Sequence, residues 1–161
     1  MSLSPMTRSF LTIQGFACDV PTFGPVAPWL RWTPTLSTVF ILLGIILREP
    51  YILWAFAVIA FVGAAGWNAF DALFNYGVRF ALRLPHLPPN PAPRRFAMGL
   101  AATWAAVTGV LFATGWTRTG LVAGILLLIA AVTVATTQFC LGSLVWRLLH
   151  RRPTGLLPEQ S

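Results

Sequence analysis

The sequence predicts an all-α integral-membrane protein, a bundle of four transmembrane helices built as two helical hairpins. Three observations predict it. Of the 161 residues, 57% are hydrophobic and 9% charged, against the roughly 25% charged content of ordinary soluble domains, and the mean hydropathy is +0.74. Apolar runs of spanning length alternate with short turn-forming segments. The eleven cationic side chains are all arginines, and they stand at the ends of those runs rather than along one face. With that placement, a formal charge of +7 points to anionic lipid beside the spans and away from nucleic acid.

The elements follow in order. Residues 1–33 read as an irregular, Pro/Gly-rich segment, cytoplasmic or interfacial, because Pro21, Pro25 and Pro28 interrupt it. Residues 9–13 are too short for the apolar part of a signal peptide. Gly15-Phe16-Ala17-Cys18 lacks the aliphatic residue that a lipoprotein cleavage box carries three places before its cysteine, so no cleaved leader is expected. The first apolar run, 34–47, makes about 21 Å of helix at 1.5 Å per residue. It reaches bilayer thickness only when extended back to Trp29, with Trp29, Arg31 and Trp32 as its interfacial anchor. The second run, 51–70, offers twenty residues without a charge, the third, 96–116, twenty-one, and the fourth, 121–139, nineteen. Glu49-Pro50 and Gly115-Trp116-Thr117-Arg118 make tight connections, and residues 84–93, with five prolines, form the longer joint between the hairpins. A four-helix domain over 34–150 is thus followed by a short cytoplasmic tail, 151–161.

Four spans place Arg8, Arg31, Arg79, Arg83, Arg94, Arg95, Arg147, Arg151 and Arg152 on one side, and only Arg48 and Arg118 on the other. The positive-inside rule then puts both termini and the central joint in the cytoplasm of a bacterial inner membrane. Small residues recur where helices would touch: Ala60 and Ala64 on the second span, Ala101, Ala105, Gly109 and Ala113 on the third, Gly120 and Gly124 on the fourth.

Polar residues concentrate at the cytoplasmic end. Asn68, Asp71, Asn75 and Arg79, spaced three, four and four apart, define one stripe if the second helix continues unbroken. Thr133, Thr136, Cys140, Ser143 and Arg147 define another on the fourth helix. Arg94 and Arg95 open the third helix at the same depth, and Gln138 lies beside Cys140. A polar cluster of Asn68, Asp71, Asn75, Arg94, Arg95, Gln138 and Ser143 around Cys140 is therefore the candidate site. An arginine beside Cys140 favours the thiolate, and Cys140-Leu141-Gly142-Ser143 has the spacing of a dithiol motif with serine in the second place. The plain alternative is a small apolar filler. Asp71 reads either as an arginine-paired interfacial carboxylate or as part of an ion path. The only histidines, His86 and His150, lie outside the spans, so no imidazole is available there for haem or a buried metal, and no cofactor is expected. Two cysteines do not make a disulfide framework.

Pro93-Arg94-Arg95-Phe96-Ala97-Met98-Gly99, followed some forty residues on by Phe139-Cys140-Leu141-Gly142 and a basic exit, resembles a family of bacterial integral-membrane proteins defined as a domain of unknown function. Members often carry Phe-Cys-x-Gly-Cys at the second position, where this chain has Ser143. The resemblance spans about residues 35–150. It implies a compact four-helix membrane domain, associated in some relatives with sulfur or thioredoxin-like proteins. Three functions stay open: a non-enzymatic accessory or scaffolding subunit that meets other membrane-protein subunits, a thiol or sulfur-handling protein using Cys140, and a small transporter or ion path using Asp71.

Overall fold

The computed structural model describes residues 5–16 and 27–150. Cys18 and the expected cytoplasmic tail at 151–161 lie outside the described residues. Helix α1 is Pro5–Ile13, and a 3-10 turn at Ala27–Arg31 leads into α2, Trp32–Leu47. Then come α3 (Pro50–Ala65), α4 (Ala69–Leu82), α5 (Ala92–Ala113), α6 (Thr117–Thr137) and α7 (Leu141–Leu149).

The fold is all-α, with three helices, or four when the bent pair α3–α4 is included, long and apolar enough to cross a membrane. The 3-10 turn brings the first of these to Ala27–Leu47, 21 residues, in agreement with the extension back past Trp29. α2 ends at Arg48 in the left-handed conformation, φ 55°, and Pro50 opens α3 at a position whose N–H has no intrahelical partner in any case. Gly115, φ 81°, turns the chain from α5 into α6, as a glycine after a helix end does without steric cost.

α2, α3, α5 and α6 close a four-helix bundle, α3 lying along α5 and α2 along α6. Its core comprises Ile41, Ile45, Phe56, Ala57, Ala60, Phe70, Ala102, Ala105 and Leu127. Small residues set the approach of the helices. A Cβ on Gly44 would stand 2.7 Å from Leu53, one on Gly124 2.8 Å from Ile45, and one on Gly109 2.5 Å from the Trp54 indole nitrogen. That nitrogen donates to the Ala106 carbonyl at 3.2 Å. The outward faces, with Val58, Phe61, Val107, Ile125 and Ile129 exposed, remain apolar, the condition for burial in lipid.

Three expectations give way. The second apolar run does not continue straight through Phe70: α3 ends at Ala65, Gly66 takes φ 121°, and α4 departs at 85°. Asn68 is then the N-cap of α4, its side chain accepting from the Phe70 N–H, so the supposed stripe of Asn68, Asp71, Asn75 and Arg79 is not one straight helix face. A π-helical turn at Phe74–Val78 shifts the register again. The fourth run also ends early. Gln138 is left-handed, φ 61°, and α7 begins afresh with Cys140 as its N-cap. The Thr133 and Thr136 hydroxyls donate to carbonyls of their own helix at 2.8 Å rather than joining Cys140. Finally, residues 5–13 of the segment expected to be irregular are helical. Their apolar residues find a surface that is remote in sequence: Leu11 and Phe16 pack with Ala27, Leu30, Phe74 and Leu87 in a second small core at one end of the bundle.

Because Leu53 is fully buried, Gly44→Ala forces overpacking between α2 and α3 and is expected to lower stability by about 1–3 kcal/mol. Gly99 would bring its Cβ only to 3.7 Å from that of Ala64, so Gly99→Ala is expected to raise stability by about 0.5–1 kcal/mol through the reduced freedom of the unfolded chain. Thermal unfolding in detergent compares the two.

Candidate functional site

Between the bundle core and the small end core lies a layer of buried polar groups. The break at Gly66–Asn68 builds its first half. Asp71, in the first turn of α4, accepts from the Thr33 hydroxyl of α2 at 2.5 Å, from Asn68 Nδ2 at 2.9 Å and from Asn90 Nδ2 at 2.6 Å. One carboxylate thereby ties together the start of α2, the cap of α4 and the proline-rich joint. Asn75 Oδ1 accepts from the Leu87 N–H at 2.8 Å, holding the other end of that joint. The Trp32 indole donates to the Phe70 carbonyl at 2.9 Å.

Arg94 and the Gln138 turn build the second half. The Arg94 side chain is 7% exposed. It donates to the Leu30 carbonyl at 3.2 Å and lies over the Phe16 ring at 5.4 Å, with Asp71 and Cys140 nearby. Gln138 Nε2 donates to the Ala27 carbonyl at 2.9 Å, and the Gln138 carbonyl accepts from Gln14 at the end of α1. α1 is pinned further by Arg147, which donates to the Thr12 carbonyl, and by Gly15 against Pro91 and Pro93. Cys140 is 9% exposed and free. Ser143, in the first turn of α7, is fully buried; its hydroxyl, Gln138 Oε1 and Asn90 Oδ1 have no hydrogen-bond partner among the described residues. Gly142 lets α7 lie on α5, since a Cβ there would meet that of Ala97 at 2.7 Å.

The sequence-derived cluster is thus divided. Asn68 and Asp71 bond directly, and Arg94 lies within electrostatic reach of Asp71 and Cys140. Asn75 and Gln138 bind backbone, and Arg95 turns away to close the end of α3, donating to the Ala64 and Ala65 carbonyls at 2.9 Å. Sequence reasoning missed Thr33, Asn90 and Gln14. The available signal for Asn90 was an isolated amide among Pro88, Pro89 and Pro91. Thr33 and Gln14 acquire polar partners only through tertiary contacts 38 and 124 residues away. Among the described residues no three His, Cys, Asp or Glu side chains gather as a metal would need.

These elements define a multi-pass helical membrane domain with a hydrogen-bonded polar layer at one end. A family model described as Domain of unknown function (DUF4395) matches residues 27–151, and the chain belongs to that family. No curated protein and no solved structure matches it.

If Asp71 is the tie that its three donors imply, Asp71→Ala is expected to cost about 3 kcal/mol, because hydrogen bonds to a charged group are lost and donors are left without an acceptor. Arg95→Gln, weakening a helix-end contact, is expected to cost about 0.5–1 kcal/mol. Chemical unfolding in mixed micelles ranks them; equal losses would remove Asp71 from its central position.

Proposed function

We propose that this protein is a non-enzymatic accessory or scaffolding subunit of a larger assembly in the bacterial inner membrane, with the polar end and both termini toward the cytoplasm. The observation that supports this most is how the polar residues are used. Asp71 holds three donors, Arg95 closes α3 and Arg94 binds the Leu30 carbonyl, so the charged groups that would serve transport are engaged in holding helices together, and Cys140 is buried. An open groove lies beside them and is assigned to another chain. Ile13 of α1, Pro93 of α5, Leu144, Trp146, Arg147 and Leu148 of α7, and His150 just past its end line this groove of about 550 Å³, with Trp146 stacked on His150 at 3.6 Å.

Leu148 is exposed in that groove, so Leu148→Arg is expected to leave the bundle folded while shifting the protein, extracted from its native membrane in mild detergent, from a larger complex to the isolated chain. Native electrophoresis reads the shift. An unaltered complex would remove the groove from the proposal, and a wild-type protein that runs as an isolated chain would remove the subunit reading itself.

One observation favours a second reading. Cys140 is the N-cap of α7 and a free thiol at the end of the bundle that also holds Arg94, the arrangement that a sulfur-handling reading requires. Cys140→Ser separates the readings. Serine is a strong N-cap and Cys140 makes no side-chain cap bond, so a purely structural cysteine predicts unchanged complex formation and a gain of about 0.5–1 kcal/mol. A thiol function predicts the same gain in stability together with loss of activity in cells.

A further inference from the structure

The surface left by the 85° turn has a second use, independent of the subunit reading. α4 is fourteen residues long, from Ala69 to Leu82, and its two sides differ. Phe70, Phe74 and Asn75 are buried against the end of the bundle, while Leu73, Tyr76 and Phe80 are 56%, 77% and 63% exposed. These exposed residues give an apolar outer side to a helix which cannot be crossing the bilayer in line with α3, because it leaves that helix nearly at right angles.

Two features indicate what covers the face. Exposed apolar residues follow one another along the chain from α3, with Val58 and Phe61, through Trp67, itself 63% exposed, to Leu73 and Tyr76, so the apolar character of a spanning helix's outer surface carries on past the turn. The cations on α4 stand beside it: Arg79 lies over the Phe80 ring at 4.7 Å, and Arg83, exposed, closes the helix in the left-handed conformation. A helix with an aromatic and aliphatic face, edged by arginines and lying across the end of a membrane bundle, matches the chemistry of the headgroup–acyl boundary.

We propose that α4 is an in-plane helix of the leaflet at the polar end, with Leu73, Tyr76 and Phe80 set among the upper acyl chains and Arg79 and Arg83 on the phosphates of anionic lipids. The partner of this surface is the lipid leaflet rather than a soluble protein. The π-helical turn at Phe74–Val78 serves the same arrangement. It keeps Phe74 and Asn75 directed into the end of the bundle while Tyr76 and Phe80 stay on the outer face.

The test uses the full chain in nanodiscs of mixed phosphatidylcholine and phosphatidylglycerol. Spin labels are attached at Tyr76→Cys, Phe80→Cys and Arg83→Cys in a background with Cys18→Ser and Cys140→Ala. Labels at 76 and 80 are expected to collide more with oxygen than with a water-soluble nickel chelate, and the label at 83 the reverse. An excess of nickel collisions at 76 and 80 would place the face in water, open to a soluble partner, and overturn the proposal; protection from both reagents would place it under another protein and overturn it equally. The arginines are tested by the lipid shell. Enrichment of phosphatidylglycerol around the protein is expected to fall by roughly fivefold for each of Arg79→Gln and Arg83→Gln, and an unchanged shell would refute the phosphate contacts. All four positions are accessible at the surface or lie at its edge, so thermal unfolding at the wild-type temperature confirms that each variant is folded.

Discussion

A single carboxylate sets the geometry of the polar end. Asp71 accepts from α2, from the cap of its own helix and from the joint that leads to α5. These three contacts come from chain segments that meet only because α4 turns away from α3. Were the chain to run straight from Tyr51 through Phe80, Asp71 would leave the bundle along the helix axis, and neither Thr33 nor Asn90 would reach it. The bend and the carboxylate support each other. Gly66 supplies the backbone freedom for the turn, and the hydrogen bonds of Asn68 and Asp71 hold the new direction.

From that turn follows the division of the molecule into two layers of apolar packing with polar groups between them. The larger core lies among the four long helices and is assembled by close approach at glycine and alanine, since neighbouring helices gain nothing from removing apolar surface from lipid. The smaller core lies beyond the polar layer, where Leu11, Leu30, Phe74 and Leu87 meet. Arg94 stands at the boundary, its guanidinium buried between a carbonyl and an aromatic ring. A buried charge is costly unless paired, and the nearby Asp71 offsets part of that cost.

Most of the bundle was legible in the sequence because lipid imposes a simple rule. A span must be long and apolar, and its ends show as prolines, glycines and arginines; hence the limits of α2, α5 and α6 fall within a few residues of those expected. The two helix breaks were not legible for a specific reason. Gly66-Trp67-Asn68 and Gln138-Phe139-Cys140 occur inside runs that hydropathy alone extends unbroken, and no proline marks either one. The same smoothing gave Asn68, Asp71, Asn75 and Arg79 a common face that the turn dissolves. Of the residues chosen for the polar cluster, Asn68 and Asp71 bond directly, whereas Arg95 binds helix carbonyls instead of joining Asp71. The helix at Pro5–Ile13 was invisible because the surfaces that bury Leu11 come from distant segments of the chain.

The turn between α3 and α4 is the point on which this account rests, and one distance tests it. Tyr51 and Phe80 are both exposed, so spin labels at these positions in a cysteine-free background should not disturb the core. A straight helix would separate them by about 43 Å at 1.5 Å per residue. With an 85° bend, two arms of about 23 Å and 18 Å leave a separation of about 30 Å. Pulsed electron spin resonance in nanodiscs is expected to give a distribution centred near the shorter distance, and a distribution centred near the longer one would contradict the account.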